Sequence, residues 1–303
     1  MRQDTRNSLA IWPVIVMASL LAGCMAFFPG GASRARQRIS AKPPDIKSDI
    51  DQPIARRAAQ PDDYALVVGI EKYSHDLPDA QFAEHDAVTV KDHLRALGFP
   101  EQNIKFLSGQ SATGKSLASY LEGWLPRKVN GRSRVFFYFA GHGAPDSETG
   151  QVYLVPSDGN PDFIKTTGYP VKKLYAALSA LKAKRVIVTL DACFSGAGGR
   201  SVSAKGARPR AARNPVISLD SKITLFAPVA CPEVATIPEQ GHGIFTYYFL
   251  KGLAGEAWNA DGAITPRGLH NYLKSKIQDA ANLGDREQTP SLEKLDEGEL
   301  FRF

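Results

Sequence analysis

The stretch Val188-Thr189-Leu190-Asp191-Ala192-Cys193-Phe194-Ser195-Gly196 decides how this chain is read. It opens in an unbroken apolar run, Val186 to Leu190, the composition of a parallel strand buried on both faces. That run ends in a cysteine ahead of a glycine turn. A second segment has the same design: Val135 to Ala140 is strongly β-prone, and Gly141-His142-Gly143 follows it. A thiol and an imidazole, each just past a buried strand, are what a thiol peptidase requires. Taken singly, a structural cysteine and a loop histidine would suffice; the two at matching strand ends point to chemistry. The backbone N–H groups of Gly143 and Cys193 are the expected oxyanion hole.

Outward from this pair, further strands are expected at Tyr64 to Ile70, Ile104 to Leu107, Val152 to Val155 and Ile223 to Ala227. Helices are expected at Phe82 to Leu97, from Thr113 or Ser116 to Pro126, and at Val171 to Leu181, Phe245 to Leu253 and Leu269 to Ala281. Strands alternating with helices give an α/β fold: one mostly parallel central sheet with helices on both faces and a ligand site at the carboxyl ends of its strands. Neither an internal repeat nor a second domain is read. Residues two apart on a strand share a face, so Asp191 is expected to face the pocket that Cys193 opens. A carboxylate there favours Arg or Lys before the scissile bond.

The two central segments are similar to the His-Gly and Asp-x-Cys-x-Ser-Gly signatures of caspase-like and metacaspase-like cysteine peptidases. The resemblance extends to Tyr64–Tyr73, Ala83-Glu-His-Asp86-Ala, His242-Gly-Ile-Phe-Thr246 and Gln288-Thr-Pro290, covering Tyr64 to Phe303. It implies a caspase-like three-layer sandwich and a cysteine endopeptidase with His142 and Cys193 as its dyad. In metacaspases, aspartates matching Asp86 and Asp191 line the specificity pocket, which implies cleavage after Arg or Lys. Ala140 stands where that family usually has serine. No third catalytic residue is evident, so His142 is read as general acid toward the leaving group. No cofactor and no metal ligand is read: some metacaspases require calcium, but Asn259-Ala-Asp261-Gly262 lacks the spaced carboxylates of a calcium loop. Expected partners are protein or peptide substrates. A catalytically silent, partner-binding relative of the same fold is the alternative.

The 303 residues carry a formal charge of +6 with acidic and basic residues interspersed, so no nucleic-acid site is read. Arg2 and Arg6 precede an apolar run ending in Leu21-Ala22-Gly23-Cys24, the layout of a signal peptide over 1–23 with a lipid attached at Cys24. Export to the periplasmic face of a bacterial membrane follows, and Met25 after the cysteine leans toward the outer membrane. Residues 24–62, rich in Pro and Arg, read as a flexible tether to a peptidase domain over 63–303. The loop Gly196 to Pro215 is expected to be exposed and basic, with Lys205, Arg210 and Arg213 as self-cleavage sites. Arg208 is the poorest of its basic residues because Pro209 follows it. Cys231 reads as a buried free thiol, the alternative being a disulfide with Cys193 in an oxidising compartment. Gly109-Gln-Ser-Ala-Thr-Gly-Lys-Ser116 matches the phosphate-binding P-loop pattern between a strand and a helix. Against nucleotide binding stand the export signal and the shortness of the match; otherwise Thr113 or Ser116 caps a helix.

Overall fold

A computed structural model describes residues 46–195, 199–205, 220–228, 236–282, 290–293 and 298–303. Along the chain run β1 (Tyr64–Gly69), α1 (Ala83–Ala96), β2 (Ile104–Ser108), α2 (Gly114–Ala118), α3 (Leu125–Lys128) and β3 (Arg134–Ala140). Then come β4 (Gly143–Pro145), β5 (Val152–Leu154), α4 (Ile164–Thr167), β6 (Tyr169–Pro170), α5 (Val171–Ser179), β7 (Arg185–Asp191) and β8 (Ile223–Pro228). The rest comprises β9 (Thr236–Ile237), β10 (His242–Gly243), α6 (Ile244–Lys251), β11 (Ala263–Ile264), α7 (Pro266–Asn282), β12 (Pro290–Glu293) and β13 (Phe301–Arg302).

One sheet of six strands, ordered β12-β8-β7-β3-β1-β2, organises the domain. Its first edge strand, β12, runs antiparallel to β8, and the other pairings are parallel. The near-continuous apolar strands follow from burial on two faces. Leu66, Val68, Phe137 and Val188 pack on one side with Leu121 and Leu174. Val67, Phe136, Tyr138 and Ile187 pack on the other with Leu94, Phe249 and Leu273. Each such side chain contributes about 1.5–3 kcal/mol on burial. This is the α/β three-layer sandwich expected from the sequence.

The topology sets the site. β3 and β7 are neighbours with Ala140 paired to Asp191, so His142 and Cys193 each emerge two residues past one register line. Gly69 lets α1 lie close on β1: a Cβ there would stand 2.5 Å from the Ala83 carbonyl oxygen. That contact brings Asp86, in the first turn of α1, over the ends of the same strands.

Three expectations are corrected, and at the P-loop look-alike the expected helix cap is found. The helix expected to stop at Pro126 continues to Lys128 through a π-helical segment, Ser119–Trp124. The wider turn accommodates a residue that has no N–H for the usual helical bond. The tether expected up to residue 62 is already packed from Ile46 onward: Ile50 is buried against the α1 side of the core, and the Arg57 N–H donates to the Ala96 carbonyl at 2.8 Å. In the P-loop look-alike, the Gly114 N–H donates to Asp158 Oδ1 at 2.9 Å, so a carboxylate already occupies the position an incoming phosphate would need. Thr113 Oγ1 caps the helix by accepting from the Ser116 N–H at 3.1 Å. Finally, the loop after Cys193 is not exposed throughout: Arg200, Ser201 and Val202 are buried.

Candidate active site

His142 leaves β3 through Gly141, whose φ of +155° is a conformation suited to glycine. Its backbone N–H donates to the Tyr73 hydroxyl at 2.6 Å, and its ring stacks on Tyr73 with centroids 5.0 Å apart. Nε2 lies 2.7 Å from the Pro78 carbonyl oxygen. A carbonyl only accepts, so Nε2 carries the proton and Nδ1 holds the lone pair. Nδ1 is buried and makes no hydrogen bond of good geometry among the described residues, with the Arg200 backbone near enough to act on the ring. Burial lowers the imidazole pKa; the Pro78 carbonyl opposes this, and Arg200 acts both ways, its guanidinium lowering the pKa and its backbone raising it.

Asp86 and Asp191 are both buried and share one cation, Arg200. Its Nη2 lies 2.7 Å from Asp86 Oδ2 and its Nη1 2.7 Å from Asp191 Oδ2. Nη2 also donates to the Gln81 carbonyl at 3.0 Å. That carbonyl precedes Phe82, a non-glycine residue held at φ 63°. Such a conformation costs on the order of 1–3 kcal/mol and clusters at functional sites. Burial alone would lower the Arg200 pKa, but the two carboxylates more than offset it and keep the guanidinium charged. For Asp191, burial raises the pKa, Arg200 draws it down and Asp86 pushes it up, with a net rise. Thr246 Oγ1 donates to Asp191 Oδ2 at 2.6 Å, and the Gly243 N–H reaches Asp86 at 3.2 Å.

The backbone of Arg200 is held as well as its side chain. The N–H groups of Gly143 and Cys193 both donate to the Arg200 carbonyl oxygen, each at 3.0 Å. Ser201 then bridges Gly143 as a parallel strand, and the Val202 N–H donates to the Gly143 carbonyl at 3.0 Å. Gly143 has to be glycine: a Cβ would stand 2.3 Å from the Cys193 carbonyl oxygen.

Cys193 is buried and joined in a disulfide, which corrects the expectation of a free thiol at this position. The other cysteines, Cys24 and Cys231, lie outside the described residues, as do Arg210 and Arg213. Lys205 is exposed, its backbone N–H donating to Asp162 Oδ1 at 2.8 Å.

Sequence reasoning brought His142, Cys193, Gly143, Asp86 and Asp191 to one place, and the fold assembles them there. It missed Tyr73, Pro78, Gln81 and Arg200. Pro78 and Gln81 act through backbone carbonyls, which carry no residue-type signal; Arg200 was visible only as one basic residue of a basic loop. Asp51, His85 and His242 also converge, with donor atoms within 4.8 Å of one another, and are the described group able to hold a metal ion. His242 Nδ1 lies 2.8 Å from Asp86 Oδ1 and its Nε2 3.0 Å from Asp51 Oδ1. Both ring nitrogens thus face carboxylates: burial lowers the His242 pKa, and Asp86 and Asp51 together raise it further than burial lowers it.

The family model of the caspase domain, a peptidase family, matches residues 62–298. The chain belongs to the caspase-domain family. Among solved structures, the crystal structure of a Geobacter sulfurreducens protein shares the fold with a TM-score of 0.54 at 17% identity. The match covers 77% of this chain and 93% of that one. No curated protein matches the sequence. The family is one of peptidases, and His142 and Cys193 lie just past the ends of β3 and β7. Among the described residues no helix is long and apolar enough to cross a membrane.

Proposed function

We propose that this caspase-domain protein is a cysteine endopeptidase that cuts polypeptides after arginine, and after lysine less well. His142 and Cys193 form its catalytic dyad, Gly143 and Cys193 its oxyanion hole, and Asp86 and Asp191 its specificity pocket. One observation carries the reading. An arginine of the chain itself lies with its guanidinium between Asp86 and Asp191 and its carbonyl oxygen on the Gly143 and Cys193 N–H groups. A substrate arginine would make the same contacts. Two carboxylates grip a planar, forked guanidinium at both ends, whereas a lysine ammonium meets them as a point charge.

In the reduced enzyme the Cys193 thiol gives its proton to His142 Nδ1, and the thiolate attacks the substrate carbonyl. The two N–H groups hold the oxyanion, and His142 returns the proton to the leaving amine. The Pro78 carbonyl fixes which ring nitrogen carries the permanent proton, the task a third catalytic group performs elsewhere. No cofactor enters this scheme. Export and a lipid anchor at Cys24 are proposed from the N-terminal sequence; a diacylglyceryl mass on the N-terminal peptide of protein made in a bacterial host tests them.

Fluorogenic peptides ending in Arg, Lys or Asp, offered to the full chain with a thiol reductant, test the function. Arg is expected to lead Lys, with Asp uncut, and Cys193→Ala and His142→Ala are expected to lose about a thousandfold or more. Turnover surviving Cys193→Ala would overturn the mechanism. The silent-module reading draws on the disulfide at Cys193; it predicts that reduced protein cuts none of these peptides.

A further inference from the structure

We propose that Asp51, His85 and His242 bind one divalent transition-metal ion of the zinc class, which fastens the segment leading into β1 onto α1 and β10. The site shares no ligand with the His142 and Cys193 pair, and the inference does not depend on the endopeptidase reading above. Three stretches far apart in the chain supply it. Asp51 closes a turn that begins at Ser48, His85 lies in the first turn of α1, and His242 opens β10.

The donor atoms already stand at coordination spacing. His242 Nε2 and His85 Nε2 lie 3.0 and 3.3 Å from Asp51 Oδ1, and the three atoms fall within 4.8 Å of one another. Ligands held at about 2.0–2.2 Å around a tetrahedral zinc ion are roughly 3.3–3.5 Å apart, so both spacings to Asp51 need little adjustment. The two imidazoles lie nearly parallel, 21° apart with centroids at 4.3 Å, and turn the same nitrogen toward the carboxylate. The His242 side chain is fully buried, whereas those of Asp51 and His85 are 24% and 39% exposed. That exposure gives an ion its way in and leaves its fourth position to water.

A second observation points to a ligand: in each of the three side chains, the polar atom turned away from the centre is already engaged. His85 Nδ1 lies 2.9 Å from the Gly241 carbonyl oxygen, and His242 Nδ1 lies 2.8 Å from Asp86 Oδ1. A carbonyl and an ionised carboxylate only accept, so each Nδ1 carries a proton and each neutral ring offers its Nε2 lone pair toward Asp51. The Ser48 N–H donates to Asp51 Oδ2 at 2.8 Å, which leaves Oδ1 for the centre. Lone pairs of two imidazoles and a carboxylate that face one point are satisfied together by a cation placed there. Partners behind the ligands, as here, fix the tautomer and orientation of the side chains at metal centres. The turn that presents Asp51 is itself held, since Ile50 is buried and its carbonyl oxygen lies 2.8 Å from His93 Nε2. Two imidazole nitrogens and one carboxylate oxygen select zinc or a neighbouring transition metal over calcium and magnesium, which prefer oxygen ligands throughout.

The test is titration calorimetry and thermal unfolding of the full chain, stripped with a chelator, dialysed and kept free of thiol reductant, against zinc, cobalt, calcium and magnesium chlorides. One zinc ion per chain should bind saturably and raise Tm as its concentration rises, and calcium and magnesium should do neither. His85→Gln and Asp51→Asn each remove one ligand from a partly exposed position. Each should weaken zinc binding by at least the roughly 10–100-fold that loss of a partner behind a ligand costs. Cys193→Ala and His142→Ala should bind zinc as wild type does. Bound cobalt should show ligand-field bands with no thiolate charge-transfer band. If one variant does not fold, the other and the wild-type cobalt spectrum carry the test. The proposal is overturned by the absence of saturable zinc binding, by undiminished binding in either folded variant, or by calcium binding in place of zinc. A thiolate band from bound cobalt, or zinc binding lost in Cys193→Ala, would overturn it by placing the ion on cysteine.

Discussion

Replacing Arg200 with methionine keeps much of the side chain's length and apolar volume but deletes the charge that two buried carboxylates share. Asp86 would retain the Gly243 N–H and His242, and Asp191 the Thr246 hydroxyl, but nothing would replace the guanidinium between them. Removing one partner of a buried ion pair costs about 3–5 kcal/mol, because the other charge stays buried without compensation. In a domain of this size that corresponds to a fall in Tm of roughly 6–20 °C. The cost depends on pH with a definite sign. Burial and Asp86 already raise the Asp191 pKa against the pull of Arg200, and losing Arg200 raises it further. A carboxyl whose folded pKa lies above its unfolded value contributes stability below the unfolded value and loses it as pH rises through the folded one. The deficit of Arg200→Met should therefore be small near pH 4 and full at neutral pH. The assay is thermal unfolding without reductant, with and without benzamidine, a planar amidinium cation. Benzamidine should raise the variant's Tm and leave wild type, whose pocket is filled, unmoved. A variant as stable as wild type at pH 7 and indifferent to benzamidine would refute the reasoning that this pocket needs a cation.

Four further outcomes are expected. Gly243→Ala puts a methyl 2.8 Å from Asp191 Oδ2 and 2.9 Å from Arg200 Nη2, so KM for Arg peptides should rise while Cys193 alkylation after reduction is little changed. Gly143→Ala moves an oxyanion-hole donor, and kcat on Arg peptides should drop about a hundredfold to a thousandfold. Tyr73→Phe leaves the buried His142 N–H without its acceptor, costing about 1–3 kcal/mol of stability by denaturant titration. The His142 pKa, lowered first by burial and then by Arg200, should place the acid limb of kcat/KM below the ordinary histidine range. By NMR titration in a Cys193→Ala background, Arg200→Met should move it upward, since both exposure and loss of the cation act in that direction.

Much of the fold was legible because its strands are buried on both faces, so composition alone marked β1, β3, β7 and β8. The short ribbons β4–β6, β9–β11 and β13 were not, apart from the Val152 strand. Two- and three-residue pairings leave no periodicity to read, and they exist only because longer elements bring them together. The candidate site was legible where the proposed chemistry needs a particular side chain, as at His142, Cys193, Asp86 and Asp191. It was illegible where a backbone carbonyl does the work, as at Pro78 and Gln81. Arg200 belongs to a third kind. Its residue type was visible, but nothing in Gly196 to Pro215 separates it from Lys205, Arg208, Arg210 and Arg213. What distinguishes it is distance along the chain, seven residues past Cys193, far enough to turn back over the strand ends and lay its carbonyl on the Cys193 N–H.

That turn resolves a problem inherent in a pocket built for cations. Asp86 and Asp191 lie under almost no solvent, and two carboxylates so placed cannot both stay charged without a positive partner. An enzyme that met substrate rarely would fold around an empty, repulsive site. His242 relieves one side of it, being itself held between Asp86 and Asp51. Arg200 relieves the other and bridges both carboxylates; under the proposed function, its carbonyl on the Gly143 and Cys193 N–H groups stands where a substrate carbonyl would. Whatever displaces Arg200 must bring a cation of its own, and the natural displacer is the basic side chain of a substrate.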